Sequence, residues 1–444
     1  MKIDNSTLEN MIEHAQWDTL SKNLQAGPVA DVADVVAELS DAQVALVARH
    51  LPPTLFAGLF SYFDQDKQRS VANELSKGEL VQLIGGLRPD DRINFLETLP
   101  EETAEEIFPL LNKEDRRNAK RLLGYPEESV GRFMTSEFIA VSSSWNLAQA
   151  LAYIQENGQQ LETINTIYVT DEEGRLLDVL ELERFVLGNP SDPVSKIMDD
   201  SFVSLLPDED REEAVRLIQK HDVYAIPVID ANHTLLGVIT ADDVMDIAEQ
   251  ETTEDIQKGG GISPLEDSYH HSSIWELYRK RVLWLMILVF VNLAASGVIA
   301  LHESTLASSI GLLFFIPLLM GAGGNTGAQS ATLIVRALAT GDLQYSQWAH
   351  IMTKEMLVGG SLGLTLGLGI GWLGILREDW SLGFTVALAM LAVVVVSNLL
   401  GVLFPLLLTK LRFDPAVASS PLVTSTADIT TLWLYFSVAL VVLQ

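Results

Sequence analysis

From Val282 onward the sequence becomes long apolar runs separated by short polar loops, whereas everything before it is polar and rich in acids. Backbone at bilayer depth must satisfy its own hydrogen bonds, so runs of about 20 apolar residues fold there as helices. Five such runs fit, near residues 282–301, 306–335, 355–376, 382–409 and 415–442. Arg279, Lys280 and Arg281 flank the first and assign that end to the cytoplasm. Alternation puts the loops Arg336 to Lys354 and Lys410 to Arg412 inside, and the loop of Arg377, Glu378 and Asp379 outside. The expected topology is multi-pass in the cell (inner) membrane, surrounded by lipid, with the N-terminus cytoplasmic and the C-terminus outside. The opening MKIDNSTLENMIEHAQW lacks the apolar centre of a signal peptide, so the residues before Val282 are expected to stay on the side of synthesis.

Charge is as uneven as hydropathy. Only five basic residues and seven acids follow Val282, so −28 of the formal −30 lies on the soluble part. A domain that acidic repels nucleic acid and attracts cations, although a solvated acidic surface is the commoner explanation of acid excess. There are no cysteines, which excludes disulfides and thiolate metal sites. Residues 1–128 carry apolar positions at helical spacing, punctuated by Pro52, Pro89, Pro100 and Gly124-Tyr125-Pro126, and predict an all-α solenoid or bundle.

Residues 129–250 contain an internal repeat. Each copy runs through a short strand, a helix (LAQALAYIQEN; EEAVRLIQKHD), two strands around a turn (Asp171 to Gly174; Asp230 to His233) and a second helix. The order and spacing resemble a tandem CBS-domain pair, an α/β unit that serves either as a nucleotide site or only as a dimer scaffold. The second copy holds the run Gly237 to Asp243, which fits that family's nucleotide pattern. By that resemblance Thr240 and Asp243 would meet ATP or another adenine nucleotide. The first copy departs from the pattern at Asp178 and Leu182. Residues 243–278 then form a connector whose helix is dense in acids, leading to the transmembrane part at 279–444.

Within the spans, two stretches are unusual. The second has Pro317 followed by Gly321 to Ser330, with Asn325 and Gln329 among glycines. Irregular backbone that lines a cavity would expose carbonyls to an ion, whereas tight packing through small residues is the plainer alternative. The glycines at 359, 360, 363, 367, 369 and 371 of the third span suit packing alone. The fifth span carries Ser419, Ser420, Pro421, Thr424, Ser425 and Thr426 before Asp428, the only charged residue after Pro415. Pro421 is expected to free a carbonyl one turn back. An intramembrane carboxylate is costly unless paired, and one among hydroxyls suits a hard cation better than zinc or copper. A pairing with a neighbouring hydroxyl, or a proton relay, is the other reading.

Taken together, GAGGNTGAQSATLIVRALATGDL (321–343), DPAVASSPLVTSTADIT (414–430) and VITADDVMDIAEQETTEDI (238–256) resemble the MgtE-type magnesium channels over almost the whole chain. The resemblance implies a homodimer whose axis forms the pore, with Asp428 as the ion-selecting carboxylate and Gly324, Asn325, Ser420 and Thr424 beside it. It also implies regulatory Mg2+ held by Asp210, Glu212, Asp222, Asp243, Asp246, Glu251, Glu254 and Asp255, with Asp414 at the membrane end and Asp91 from the N-domain. Cytosolic Mg2+ bridging these acids would draw the connecting helices together and close the pore. Ala328 stands where the family often has Asn. No G-x-x-x-x-G-K-[ST] motif occurs, so the chain reads as a channel-like path for import and not as an enzyme. The competing readings are a channel for Co, Ni or Mn, a CBS nucleotide sensor tethered by its spans, and a CBS-containing chloride channel, which the domain order opposes.

Overall fold

The N-terminal helices follow a period visible in their starting residues. Val29–Ala37, Pro53–Phe60, Lys77–Gly86 and Glu101–Ile107 begin at one fixed interval along the chain, and Asp41–His50, Gln65–Glu74, Pro89–Thr98 and Lys113–Leu122 keep the same interval. Within each set, successive helices pack against one another, giving two stacked rows. Burial repeats with the same period: Leu39, Phe63, Leu87 and Leu111 are all interior, as are Val47, Val71, Phe95 and Ala119. This is a solenoid of helix pairs, each burying its apolar face only on its neighbours. The caps repeat too. Ser40, Asp64 and Asn112 each accept a hydrogen bond from the first turn of the following helix, but the equivalent residue before Pro89 is Arg88, which provides no cap. The exception falls where acids gather, as described below. Arg92, in the same helix, is buried and donates to the carbonyls of Ile84 and Leu87 and to Asp115 Oδ1 at 2.8 Å.

The computed structural model describes residues 5–443 except 159–160, 162, 266–268, 270–271 and 344. The chain divides into two units, Met1–Glu249 and Gln250–Gln444. In the first, the repeat predicted from sequence folds as two small sheets. Strand β1 (Ala140–Ser142) lies parallel to β2 (Thr166–Thr170), which pairs antiparallel with β3 (Leu176–Glu181). Strands β4 (Ala225–Ile229) and β5 (Leu235–Thr240) form the second sheet. The turns are equivalent: Asp171 accepts from the amides of Glu173 and Arg175, and Asp230 from those of Asn232 and Thr234. Gly174 and His233 take the left-handed conformation. The opening strand expected in the second copy is reduced to one parallel bridge, Leu205 to Val228. Asp178, the departure noted in the first copy, is fully buried and accepts from the amides of Val179, Asp199 and Asp200. It ties down a loop.

The last helix of the repeat runs without interruption into the connector as Ala241–Gly259. Gly259-Gly260-Gly261 ends it, with Gly261 at positive φ and the amides of Gly260, Gly261 and Ile262 returned to the last helical turn.

In the second unit, five helices are long and apolar enough to cross a membrane: Ile274–Leu301, Gly311–Ala339, Trp348–Arg377, Trp380–Lys410 and Ser420–Leu443. The second, fourth and fifth enclose the apolar core, around Leu319, Val393 and Phe436. Two sequence expectations need correction. The Gly321–Ser330 stretch does not break the helix, which is continuous from Gly311 to Ala339. Its glycines instead admit neighbours: a Cβ on Gly323 would lie 2.6 Å from Thr431 Oγ1, and one on Gly327 would lie 3.1 Å from the Ser397 carbonyl. Small-residue packing therefore accounts for them. Pro421 frees no carbonyl, because the fifth helix begins at Ser420 and the proline sits in its first turn, where an amide is not needed. Asp414 caps a separate turn, Pro415–Val417, ahead of it.

In the third span, Gly359, Gly363, Gly367 and Gly371 form an i, i+4 stripe against the fourth, whereas a Cβ on Gly360 or Gly369 would meet nothing within 4 Å among the described residues. Gly401 is the tightest of these crossings. A Cβ there would fall on the backbone carbonyl of Gly327 and 3.0 Å from Ser330 Cβ. Backbone cannot yield as a side chain does, so Gly401→Ala is expected to destabilise the bundle by about 1–3 kcal/mol. The check is the thermal unfolding midpoint of the detergent-solubilised protein, with Gly369→Ala as the silent control.

Candidate functional site

Asp428 lies eight residues into the fifth helix, about 12 Å along it from Ser420. It is nearer one end of the span than its place in the apolar run suggests. It is half-buried, and among the described residues it has neither a hydrogen-bonding partner nor a counter-ion. Gly324 makes room for it: a Cβ on that residue would stand 3.7 Å from Asp428 Oδ1 and 2.7 Å from Thr424 Cγ2. Hydroxyls on the same helix already donate to carbonyls one turn back, Thr426 to Leu422 and Thr430 to Thr426 at 3.0 Å each. Their protons are used and their oxygens remain available to a cation. The structure thus brings Asp428, Gly324 and Thr424 together. Ser420 stands at the helix start. Asn325, next to Gly324, and Gln329 are exposed on the second span, and Ala328 is half-buried.

The acidic residues fall into three places. In the first unit, the helix Pro89–Thr98 meets the start of the connecting helix. Asp91 is held above the usual carboxylate range, chiefly by burial, with Arg88 opposing and Asp246 and Asp242 adding repulsion. Asp243 is pushed up to about 8 by burial and by Asp90, against a 2.5 Å hydrogen bond from the Thr240 hydroxyl. Asp246 and Glu137 are also raised, each mainly by burial. Arg88, in the position that its repeat equivalents use for capping, offsets part of this charge. Asp90, 5% exposed, is a member that sequence reasoning missed in favour of its neighbour. No local signal marks it: the equivalent repeat positions Ala42 and Glu114 are exposed and Asp66 is half-buried, so Asp90's burial departs from the solenoid period. In the second unit, Asp255 is raised by burial and then by Asp414 and Glu251. Lys258 Nζ bridges Glu254 Oε1 and Asp414 Oδ2 at 2.6 Å each. Burial opposes that ammonium's charge, but the two hydrogen bonds hold its pKa above the ordinary lysine value.

Asp210, Glu212 and Asp222 are exposed at opposite ends of one helix, Arg211–His221. Asp210 caps it by accepting from the Glu212 amide at 2.9 Å, and Asp222 ends it in the left-handed conformation. One chain does not gather these three with the others. Among the described residues, no three His, Asp or Glu side chains are close enough to hold a metal ion alone. Separately, a cleft of about 220 Å³ opens between the two sheets, lined by Arg184, Asp199 and Tyr224 and not by Thr240 or Asp243.

Family comparisons agree with this layout. A family described as a divalent cation transporter matches residues 316–438, the MgtE intracellular N domain matches 28–128, and CBS domains match 130–186 and 194–249. The magnesium transporter MgtE of Thermus thermophilus is 34% identical over 414 residues, covering 92% of this chain and 89% of its own length. That of Bacillus subtilis is 28% identical, covering 97% and 98%. Among solved structures, the cytosolic domain of the Mg2+ channel MgtE in complex with ATP aligns with TM-score 0.51 at 28% identity, over 55% of this chain and 99% of that one. With one relative this similar from end to end, and every region of the family present in order, the chain belongs to the MgtE family of magnesium transporters.

Proposed function

We propose that this chain imports Mg2+ down its electrochemical gradient as a homodimer in the cell membrane, and that cytosolic Mg2+ closes it. The observation that carries the reading is Asp428, a half-buried carboxylate without a partner among the described residues, set beside Gly324 and Thr424 in an all-oxygen surrounding. One carboxylate is too little charge for a bare divalent ion. Two from a symmetric pair suit one that keeps its waters, as Mg2+ prefers. The exposed amides of Asn325 and Gln329 support the dimer, because lipid offers them no hydrogen bond whereas a partner or a wet pore does.

Closure is read from the crowded acids. The carboxylates around Asp91, Asp243 and Asp246, and those around Glu251, Glu254, Asp255 and Asp414, repel one another until cations bridge them. Asp210, Glu212 and Asp222 are assigned to the same role across the dimer. An adenine nucleotide, such as the ATP of the solved MgtE cytosolic domain, is assigned to the CBS pair. The membrane potential supplies about 2.3 kcal/mol per charge per 100 mV, enough to drive import. The transmembrane region's match to divalent cation transporters favours one second reading, a path shared by Co2+, Ni2+ or Mn2+. Purified protein in liposomes, loaded with a Mg2+ indicator and held at an inside-negative potential, tests both. Mg2+ uptake that Co2+ does not outcompete supports the proposal. Absence of ion flux returns the chain to the role of a tethered sensor.

A further inference from the structure

Glu355 is a second acidic residue at membrane depth. It lies in the third span, half-buried, with Oε2 accepting from Asn398 Nδ2 of the fourth span at 2.8 Å and from Ser330 Oγ of the second at 3.1 Å. The Asn398 amide also donates to the Glu355 carbonyl at 2.7 Å. Asn398 and Ser330 are each 3% exposed, so this one side chain joins three helices in the interior. Its donors are neutral, and an amide oxygen can accept the same bonds.

The position of the join matters. The third and fourth spans are already locked by the Gly359 to Gly371 stripe. Glu355 is where this pair grips the second span by hydrogen bonds. Ser330 is six residues, about 9 Å, along that span from Gly324, the glycine that makes room for Asp428. Between them, Gly327 presses its carbonyl on Gly401. A second span held at Ser330 cannot turn or slide without moving Gly324 off the Asp428 carboxylate.

We infer that Glu355 is a positioning residue for ion passage: through Ser330 and Asn398 it fixes the rotation of the second span and so the width of the site beside Asp428. The inference rests on Asp428 being that site, and Asp428→Asn in the same liposome assay tests that premise separately. Glu355→Leu is expected to lower Mg2+ uptake at least tenfold and to reduce the Mg2+ over Ca2+ preference. Glu355→Gln, which keeps the acceptor, is expected to restore both to within about twofold. Ser330→Ala removes one bond and is expected to shift the preference the same way with a smaller loss of rate. It carries the test if the leucine variant is not recovered as monodisperse protein. Leucine or Ser330→Ala protein with unchanged rate and preference overturns the inference. So does a glutamine variant as impaired as leucine, because a requirement for the charge itself would mean that Glu355 meets the cation directly. Loss in Glu355 variants with Asp428→Asn unimpaired would overturn the premise instead.

Discussion

Asp428→Asn is expected to cut Mg2+ uptake into liposomes by about two orders of magnitude while leaving the protein as stable as before, or more so. The two outcomes share one cause. Leaving a charge at such a position without its counter-ion costs about 2–5 kcal/mol, and about 1.4 kcal/mol is a factor of ten. An ion that meets amides in place of the carboxylates loses attraction of that order, and a loss of about 2.8 kcal/mol in all is a hundredfold. In the ion-free protein the sign reverses: the carboxylate has no partner among the described residues, and an unpaired acid at membrane depth is a burden on the bundle. Asparagine has the same shape, so the packing of Gly324 against Thr424 stays. Uptake is read from the indicator and stability from the thermal midpoint in magnesium-free detergent. Unimpaired uptake removes Asp428 from ion passage. Reduced uptake with a lowered midpoint would mean that the residue only supports the fold. Asp428→Glu keeps the charge but lengthens the side chain toward a site whose width Gly324 sets, and an intermediate rate is expected.

The sequence reveals most where the physics is local. Apolar run length locates all five spans, and the CBS-like turns are legible because Asp171 and Asp230 recur at the same point of each copy. The solenoid period is harder to see, since burial repeats while residue type does not. Val44, Gln68 and Arg92 occupy one repeat position as an aliphatic, an amide bonded to the Phe60 carbonyl and a guanidinium holding Asp115. The glycines of the second span read as broken backbone because composition alone cannot distinguish a loop from a helix packed against close neighbours. What decides it is Gly401 and Ser397, which belong to the fourth span and are remote in sequence. The same limit hides Lys258. Its sequence neighbourhood offers Glu254 one turn back, but Asp414 lies 156 residues downstream. Asp90 and Asp91 both begin the same helix, and only packing shows that Asp90 is the more deeply buried of the two.

Lys258→Met is expected to lower, by about tenfold, the cytosolic Mg2+ needed for half-closure in patch recordings. Lys258 is the chain's own cation, placed where the proposed regulatory ion would bind. Its ammonium contacts Glu254 and Asp414, while Asp255 and Glu251 add repulsion nearby. The lysine side chain is 26% exposed and that of Asp414 35%, so water screens the contacts and each pair contributes little to stability. Competition is another matter. A divalent ion entering this group must displace the ammonium or sit beside it. Repulsion between like charges about 4 Å apart ranges from about 1 kcal/mol in water to about 4 kcal/mol at a protein surface. Removing it favours Mg2+ by an amount that reaches the about 1.4 kcal/mol of a tenfold change. Methionine keeps the apolar stem, so the helix end at Gly259 is undisturbed. Asp414→Asn must act in the opposite direction, raising the Mg2+ requirement, because it removes a ligand and leaves Lys258 on Glu254. Opposite shifts from two partners of one ion pair distinguish competition for a shared site from simple loss of a tether, which would move both variants the same way. Equal shifts, or an unchanged midpoint in Lys258→Met, would exclude the lysine as a competitor of the closing ion.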